Sequence, residues 1–506
     1  MDMLFDLSIG NLIEPVSARR WDQAEIRRQV ARRIARFQKY GLAPNDRVFL
    51  TFGNCLEFFA ELISIWRLGG CAIPIDSRLT AFEVENLVRA ATPRLAVVDA
   101  DTSVDTIKTL SALGLSTILT TETGGDEASA SLVRLEGDAL ILFTSGSTGD
   151  PKGVVHTHRS LLARWMSLRD HLGLAAFRKT LCMLPTHFGH GLICNSLFPW
   201  LSGQDLYITQ PFRPDLVMRL GKLIDEHGIT FMSSVPAIWR LALKLASPPQ
   251  QGTLQRVHCG SAPLSSHMWE DIRKWTGTRN VCNSYGITET GSWVAGLSAA
   301  DVPAEDGLIG EGWGAVIEVL HTNETSRTLD PESRCAPGEP GYVWLNTPAL
   351  MKGYFQRDDL TEKAVVDGWF MTGDIGVLDD QGRLVLRGRE RDEINKGGMK
   401  VFPSDIDAVV ERFERTGDVC TFALDDPIYG QNVGIAVVLQ DRSDETICNL
   451  YAWMKLHLSE SKMPVRWWLV DEIPRTSRGK INRDAVKAAC QDLLPLDLPG
   501  ILGNTG

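Results

Sequence analysis

Two hydrophobic periods alternate along the first two-thirds of the chain. Residues 26–40 form a basic, amphipathic stretch that stops at Gly41, and the apolar run Arg47-Val-Phe-Leu-Thr51 behind it has strand length. Residues 58–68 predict a helix that closes at Gly69-Gly70, and Ala139-Leu-Ile-Leu-Phe143 predicts a short buried strand. Leu216, Leu220, Leu223 and Ile224 recur at helical spacing. They predict a helix over 216–227 with Asp215 as N-cap and Gly228 as stop, followed by a strand over 229–232. This β–α–β rhythm predicts an α/β fold, a large N-terminal domain of parallel or mixed sheets covered by helices. Residues 323–341, rich in Glu, Pro, Ser and Thr, read as a long connection between hairpin strands at 316–320 and 342–345.

The pattern changes near residue 388, where charges crowd together in Arg387-Gly-Arg-Glu-Arg-Asp-Glu393. Beyond it lies an α+β tail. Ser404 caps a helix whose apolar face carries Ile406, Val409, Val410 and Phe413, and strands are predicted at 433–439 and 467–470. The expected division is therefore a domain of residues 1–388 and a small α+β domain of residues 389–506, a size usual for an independent unit.

Composition narrows the function classes. The 506 residues are 44% hydrophobic with a formal charge of −11, and no Lys/Arg run is present, so a nucleic-acid face is not expected. Ten cysteines without a Cys-x-x-Cys pair argue against zinc and against a redox dithiol. The acidic start, Met-Asp-Met-Leu-Phe-Asp, lacks a basic leader region, and the longest apolar stretch carries Glu61 and Arg67, too polar to span a bilayer. A cytoplasmic protein with reduced thiols and no transmembrane segment is expected.

The predicted strand at 139–143 empties into Thr144, Ser145, Gly146, Ser147 and Thr148, then Gly149 and Lys152. Closely spaced backbone N–H groups, hydroxyls and one cation are what a polyphosphate requires, although the spacing is not the Walker pattern. Four more segments stand out: Val257-His-Cys-Gly-Ser-Ala-Pro-Leu264, Asn283-Ser-Tyr-Gly-Ile-Thr-Glu-Thr290, Gly368-Trp-Phe-Met-Thr-Gly-Asp374 and Pro474-Arg-Thr-Ser-Arg-Gly-Lys-Ile481. In order and spacing, the five segments resemble the adenylate-forming superfamily of acyl- and aryl-CoA synthetases, peptide-synthetase adenylation domains and beetle luciferases. The resemblance covers nearly the whole chain.

That resemblance implies ATP, Mg²⁺ and coenzyme A as cofactors and assigns roles. Thr144 to Thr148 with Lys152 hold the β- and γ-phosphates. Gly260, Ser261 and Ala262 line the adenine slot, Tyr285 beside Gly286 stacks on the base, and Asn283 offers its amide to the base edge. Thr288 contacts the α-phosphate, and Glu289 holds the metal. Asp374 accepts the ribose hydroxyls, backed by Arg389, and Lys480 bridges the acid's carboxylate and the α-phosphate. The C-terminal domain is implied to be a mobile lid with its hinge at Arg391, and Gly397 and Gly398 to meet the pantetheine arm.

In the acid-pocket motif Leu184-Pro-Thr-His-Phe-Gly-His-Gly-Leu192, Gly189 stands where peptide-synthetase domains usually carry an Asp, which argues against an ordinary α-amino acid. Phe188 is the expected gate. His187 and His190 either bind a polar group of the substrate or are satisfied core histidines. Trp239 and Trp293 are candidate pocket walls or plain core. The expected activity is an AMP-forming acid:CoA ligase. The alternatives are a stand-alone enzyme that loads the phosphopantetheine arm of a carrier protein, and a non-catalytic nucleotide-binding member.

Overall fold

A computed structural model describes residues 9–123, 125–145, 151–211, 213–321, 333–396, 399–427, 429–476 and 480–503. Strand Arg47–Leu50 shows how one apolar run serves two cores. Val48 and Leu50 face one cluster and Phe49 the other, as the two-residue period of a strand covered on both faces demands. Its sheet has seven strands in the order Gly353–Tyr354, Pro151–Thr157, Asp138–Ser145, Cys71–Pro74, Arg47–Leu50, Leu95–Val98, Ser116–Leu119. The pairs from Asp138–Ser145 to Ser116–Leu119 are parallel, whereas Pro151–Thr157 runs antiparallel to both its neighbours. One face is covered by the capped helices Ala81–Ala91 and Val104–Ala112, the other by Gln23–Lys39 and Leu56–Arg67.

A second, larger sheet changes character midway. Strands Asp205–Ile208, Lys179–Cys182, Phe231–Ser234, Arg256–Gly260 and Val281–Ile287 pair in parallel. Ser292–Gly296, Leu308–Gly312, Leu384–Arg389, Trp369–Leu378, Gly341–Asn346 and Val316–Leu320 continue it antiparallel. One contiguous apolar cluster, containing Leu142, Leu184, Phe231, Trp239 and Val257, joins the two sheets. The α/β expectation therefore holds. A five-stranded sheet from the C-terminal part, centred on Gly430–Leu439, has its own core of Ile394, Ile406, Val410, Val433, Ile435, Leu450 and Trp467. Among the described residues no helix is long and apolar enough to cross a membrane.

Two caps differ from expectation. Asp215 lies inside the first turn of Pro214–Met218, behind Pro214 at the helix start, and a separate helix, Leu220–His227, follows. The proline already fixes the entry backbone, so the acidic residue stands by the helix dipole rather than at the N-cap. Ser404 is likewise inside helix Pro403–Glu411, whose N-cap is Phe402. Its hydroxyl donates to the Arg387 carbonyl and ties the helix to the end of strand Leu384–Arg389.

Helix Gln23–Lys39 is fixed by a buried ion triad. Arg33 Nε lies 2.9 Å from Glu61 Oε1, Arg36 pairs with the other carboxylate oxygen, and the Thr120 hydroxyl donates to Oε1 at 2.9 Å. Removing the single anion would leave two buried guanidiniums facing each other. Glu61→Ala should therefore cost about 3–5 kcal/mol, read as a large drop in the first thermal unfolding transition. An unchanged transition would mean that the triad is not the tie between these helices.

Candidate active site

Five segments remote in sequence meet at the carboxyl ends of the parallel strands. Strands Asp138–Ser145 and Pro151–Thr157 face each other with Thr144 opposite Lys152, and the Thr144 hydroxyl donates to the Lys152 carbonyl at 3.5 Å. Ser145 ends the first strand. Gly146, Ser147 and Thr148 lie outside the described residues, as do Gly397 and Gly398. The Lys152 ammonium sits 5.8 Å from the Tyr354 ring centroid, a cation–π distance, and the Tyr354 hydroxyl donates to Glu289 Oε1 at 2.8 Å. Burial, reinforced by the Glu289 charge, raises the Tyr354 hydroxyl above its ordinary pKa, so it stays a donor. Tyr354 thus links the phosphate-loop lysine to the glutamate of the third segment. Neither charge nor periodicity marks it in the sequence. It arrives because Gly353–Tyr354 adds an edge strand to Pro151–Thr157.

The turn Thr288–Thr290 is held from below. His156, on the strand that follows the loop, donates from Nε2 to the Thr288 carbonyl at 2.8 Å, and buried Arg164 donates to the Thr290 carbonyl from Nε and Nη2 at 3.2 and 2.9 Å. Both holding residues escaped the sequence reading. Gly286 has no room for a side chain, because a Cβ there would stand 2.0 Å from the Ser292 carbonyl oxygen. Glu289 is half-buried with Oε1 bonded to Tyr354. Oε2, with no hydrogen-bond partner among the described residues, is the hard oxygen donor that Mg²⁺ selects, so the residues fit that ion.

Asp374 and Arg389 are opposite residues on paired strands. Arg389 Nε lies 2.9 Å from Asp374 Oδ1, and the Tyr285 hydroxyl donates to Oδ2 at 2.5 Å. Burial and the adjacent carboxylate raise the Tyr285 hydroxyl well above its usual range. An ionised carboxylate offers about four lone-pair sites, so acceptor capacity toward two further hydroxyls is left. The Tyr285 ring belongs to a cluster with Val294, Ala295 and Ile309. Asn283 spends one amide proton internally, Nδ2 donating to the Leu308 carbonyl at 2.9 Å, which leaves less of the amide for a base edge than the sequence reading assigned.

Strand Arg256–Gly260 ends against the same region. A Cβ on Gly260 would stand 2.4 Å from the Ser284 carbonyl oxygen, and Ser261 next to it has φ +64°. Ala262 follows in the turn. The Ser261 hydroxyl meets His190 Nδ1 at 2.8 Å, and Ser233 Oγ meets Nε2 at 2.6 Å. His190 opens a wide, π-helical turn, His190–Leu197. Burial, and then the positive charge of Lys480, push its pKa down to about 3. Lys480 is exposed, in a loop closed by the Thr476 N–H to Lys480 carbonyl bond at 2.8 Å. The charge of Lys480 is near enough to His190 to act on it.

His187 and Phe188 contact edge to face at 4.3 Å, and His187 Nε2 lies 3.4 Å from Asp76 Oδ2. Gly189 faces Leu142, Ser292 and Ile193. Trp239 is core, its indole N–H donating to Ser234 Oγ at 2.7 Å. Arg391 lies in the one-turn helix Glu390–Asp392 directly after strand Leu384–Arg389.

This arrangement is that of a nucleotide-dependent acid-activating enzyme, and the comparisons agree. Residues 12–355 match the AMP-binding enzyme family, and the chain belongs to that family. It is 27% identical over 472 residues to an oxalate–CoA ligase of Arabidopsis thaliana, covering 88% of each chain. It is also 27% identical over 467 residues to a 2-succinylbenzoate–CoA ligase of Listeria monocytogenes, covering 92% of this chain and 93% of that one. Its fold superposes on ATP-bound MatB from Rhodopseudomonas palustris with TM-score 0.85 at 22% identity, over 97% of this chain and 98% of that one.

Four buried histidines give the protein a pH signature. Burial lowers His156 and His158 to about 4, His190 to about 3 and His258 well below the 6.5 of an open chain. The unfolded chain takes up protons below pH 6.5 that the native state refuses. Stability is thus complete above pH 6.5 and falls as pH drops toward 4, by up to about 1.4 kcal/mol per pH unit for each histidine. Urea unfolding midpoints measured from pH 7.5 to 4.5 should fall steadily below 6.5, and His158→Gln should flatten the slope. A slope the substitution leaves unaltered would contradict the assignment.

Proposed function

We propose that the protein condenses a carboxylic acid with ATP to an acyl-adenylate and pyrophosphate, then transfers the acyl group to the thiol of coenzyme A, releasing AMP. The observation that carries this reading is the convergence of the Lys152–Tyr354–Glu289 row and the Tyr285–Asp374–Arg389 cluster, with the charge of Lys480 near enough to act on His190 of the acid-pocket motif. A carboxylate oxygen must attack a phosphorus already crowded by anionic oxygens. Lys480 lowers that repulsion by standing between the two anions, and most of the remaining barrier is alignment. Thr144 to Thr148 and Lys152 hold the β- and γ-phosphates, and Asp374 with Arg389 anchors the ribose, so that the α-phosphate is presented in line. Gly260, Ser261, Ala262, Asn283, Tyr285 and Gly286 form the base slot, and Thr288 contacts the α-phosphate. Glu289 would hold Mg²⁺, which would supply positive charge to offset that of the departing pyrophosphate.

His190 is neutral, so it does not compete with Lys480 for the substrate's carboxylate. Phe188 gates the passage from acid to nucleotide. Residues 389–506 act as a lid hinged at Arg391. Rotation withdraws Lys480 after adenylation and brings Gly397 and Gly398 to the pantetheine arm, where glycine permits close backbone approach. Oxalate–CoA and 2-succinylbenzoate–CoA ligases among the relatives support coenzyme A as the acceptor in preference to a carrier protein. All ten cysteines are free thiols, which supports a reducing, cytoplasmic setting.

Lys480→Ala should lower ATP–pyrophosphate exchange by roughly 10²-fold to 10³-fold while leaving thioester formation from supplied acyl-adenylate within about twofold. Equal loss in both half-reactions would refute the two-face lid. Release of AMP that depends on a carrier protein and not on coenzyme A would reassign the acceptor.

A further inference from the structure

Beside His190, three buried polar atoms have no hydrogen-bond partner among the described residues: Trp293 Nε1, His258 Nδ1 and Ser284 Oγ. They gather on one side of the parallel strands. Ser233, whose hydroxyl meets His190, is the register partner of His258, and Gly260 is the partner of Ser284. A Cβ on Gly260 would stand 2.7 Å from Ser284 Oγ, which puts that hydroxyl on the Gly260 and His258 face. The Trp293 ring lies 4.4 Å from His258 and 5.7 Å from His190.

The proton on His258 is fixed by its neighbour. Arg256 Nε lies 2.7 Å from His258 Nε2, and a guanidinium can only donate, so Nε2 carries the lone pair and the neutral ring bears its hydrogen on Nδ1. Burial and the Arg256 charge hold His258 well below its ordinary pKa, which keeps the ring neutral. Trp293 and His258 therefore present two donors without acceptors, and Ser284 can supply a third. Arg256 is itself buried. It donates to the Leu297 carbonyl at 2.6 Å and lies over the Trp313 ring, and among the described residues it forms no ion pair with a carboxylate. A buried cation without a counter-ion, relayed through His258, biases the neighbouring space toward a negative charge.

An acceptor that satisfies three donors without needing an acceptor of its own is an ionised carboxylate. A phenol or alcohol would bring a further donor to place. Resting on the acid-activating reading above, we infer that the substrate is a compact dicarboxylic acid. Its reacting carboxylate lies under Lys480, and its distal carboxylate accepts from Trp293 Nε1 and His258 Nδ1, with the Ser284 hydroxyl as third donor. The 5.7 Å between the His190 and Trp293 rings, with the Lys480 charge acting on His190, sets the compactness. This site is a specificity device, because a monocarboxylic acid of equal length would leave the same buried donors unmet.

The test is ATP–pyrophosphate exchange by the full-length protein over a matched panel: dicarboxylic acids of three to six carbons and aromatic diacids, the monomethyl ester of each, and the monocarboxylic acid of equal length. A diacid should exceed its ester and its monocarboxylic counterpart in kcat/KM by roughly 10²-fold or more. Trp293→Phe and Ser284→Ala should each compress that ratio by about tenfold, and where the tryptophan variant fails to fold, the serine variant decides. Exchange that favours esters or monocarboxylic acids overturns the diacid inference and leaves acid activation standing. Exchange with no acid overturns both. A ratio that neither variant moves overturns the assignment of these donors.

Discussion

The carboxylate of Asp374 cannot sit where it does alone. It is 4% exposed, and a buried anion without partners would be too costly to keep. Arg389 from the facing strand takes one oxygen and Tyr285 from the last parallel strand takes the other. This pairing locks together the point where the large sheet turns from parallel to antiparallel and the strand from which the chain departs toward its C-terminal part. The other groups of the site are placed relative to that junction. Gly286 passes against Ser292 because the two strands must close there, and Thr288 and Glu289 follow within one turn. A carboxylate that must be held by two donors to exist is also held in one orientation, which is what anchoring a ribose requires.

Around the acid-pocket motif, the field is set by which groups are charged. Burial keeps His190 and His258 neutral, so the positive charges of consequence are Lys480, exposed on its loop, and Arg256, sealed behind His258. The proposed lid motion carries Lys480 away, whereas Arg256 is buried in the large sheet and stays. In the proposed cycle, the bound acid is therefore gripped from a fixed side throughout and activated from a movable side for one step only.

Much of this was legible in the sequence, and what escaped follows a physical rule. Amphipathic helices and buried strands were legible because burial imposes period on the chain, as in Arg47–Leu50. The five segments were legible because phosphate and carboxylate chemistry needs particular residue types close together. Asp215 and Ser404 misled because an N-cap and a first-turn residue carry the same side chains, and Pro214 and Phe402 decide between them only through backbone geometry. Tyr354, His156 and Arg164 were silent for another reason. Each acts on residues more than 60 positions away, through pairing or burial that no local pattern encodes. Arg256, His258 and Ser284 are the extreme case, since only a missing partner or counter-ion distinguishes them from ordinary core, and the same feature decides between the pocket-wall and core readings of Trp293.

The contacts between the C-terminal part and the rest suit the lid proposed above. Arg240 meets Glu411 at 2.9 Å, and Arg412 pairs with Asp306. All four side chains retain partial exposure. Ion pairs that keep access to water weaken with salt, and their charges are hydrated when they part. The apolar clusters, by contrast, stay on their own sides: Ile394, Val401, Ile406, Val410 and Trp467 pack among residues of the same tail. Separating the two parts would exchange a few partly buried ion pairs and the Ser404 hydrogen bond to the Arg387 carbonyl for water without opening an apolar core. In the proposed cycle Lys480 is withdrawn with the tail, whose own five-stranded sheet and core move with it.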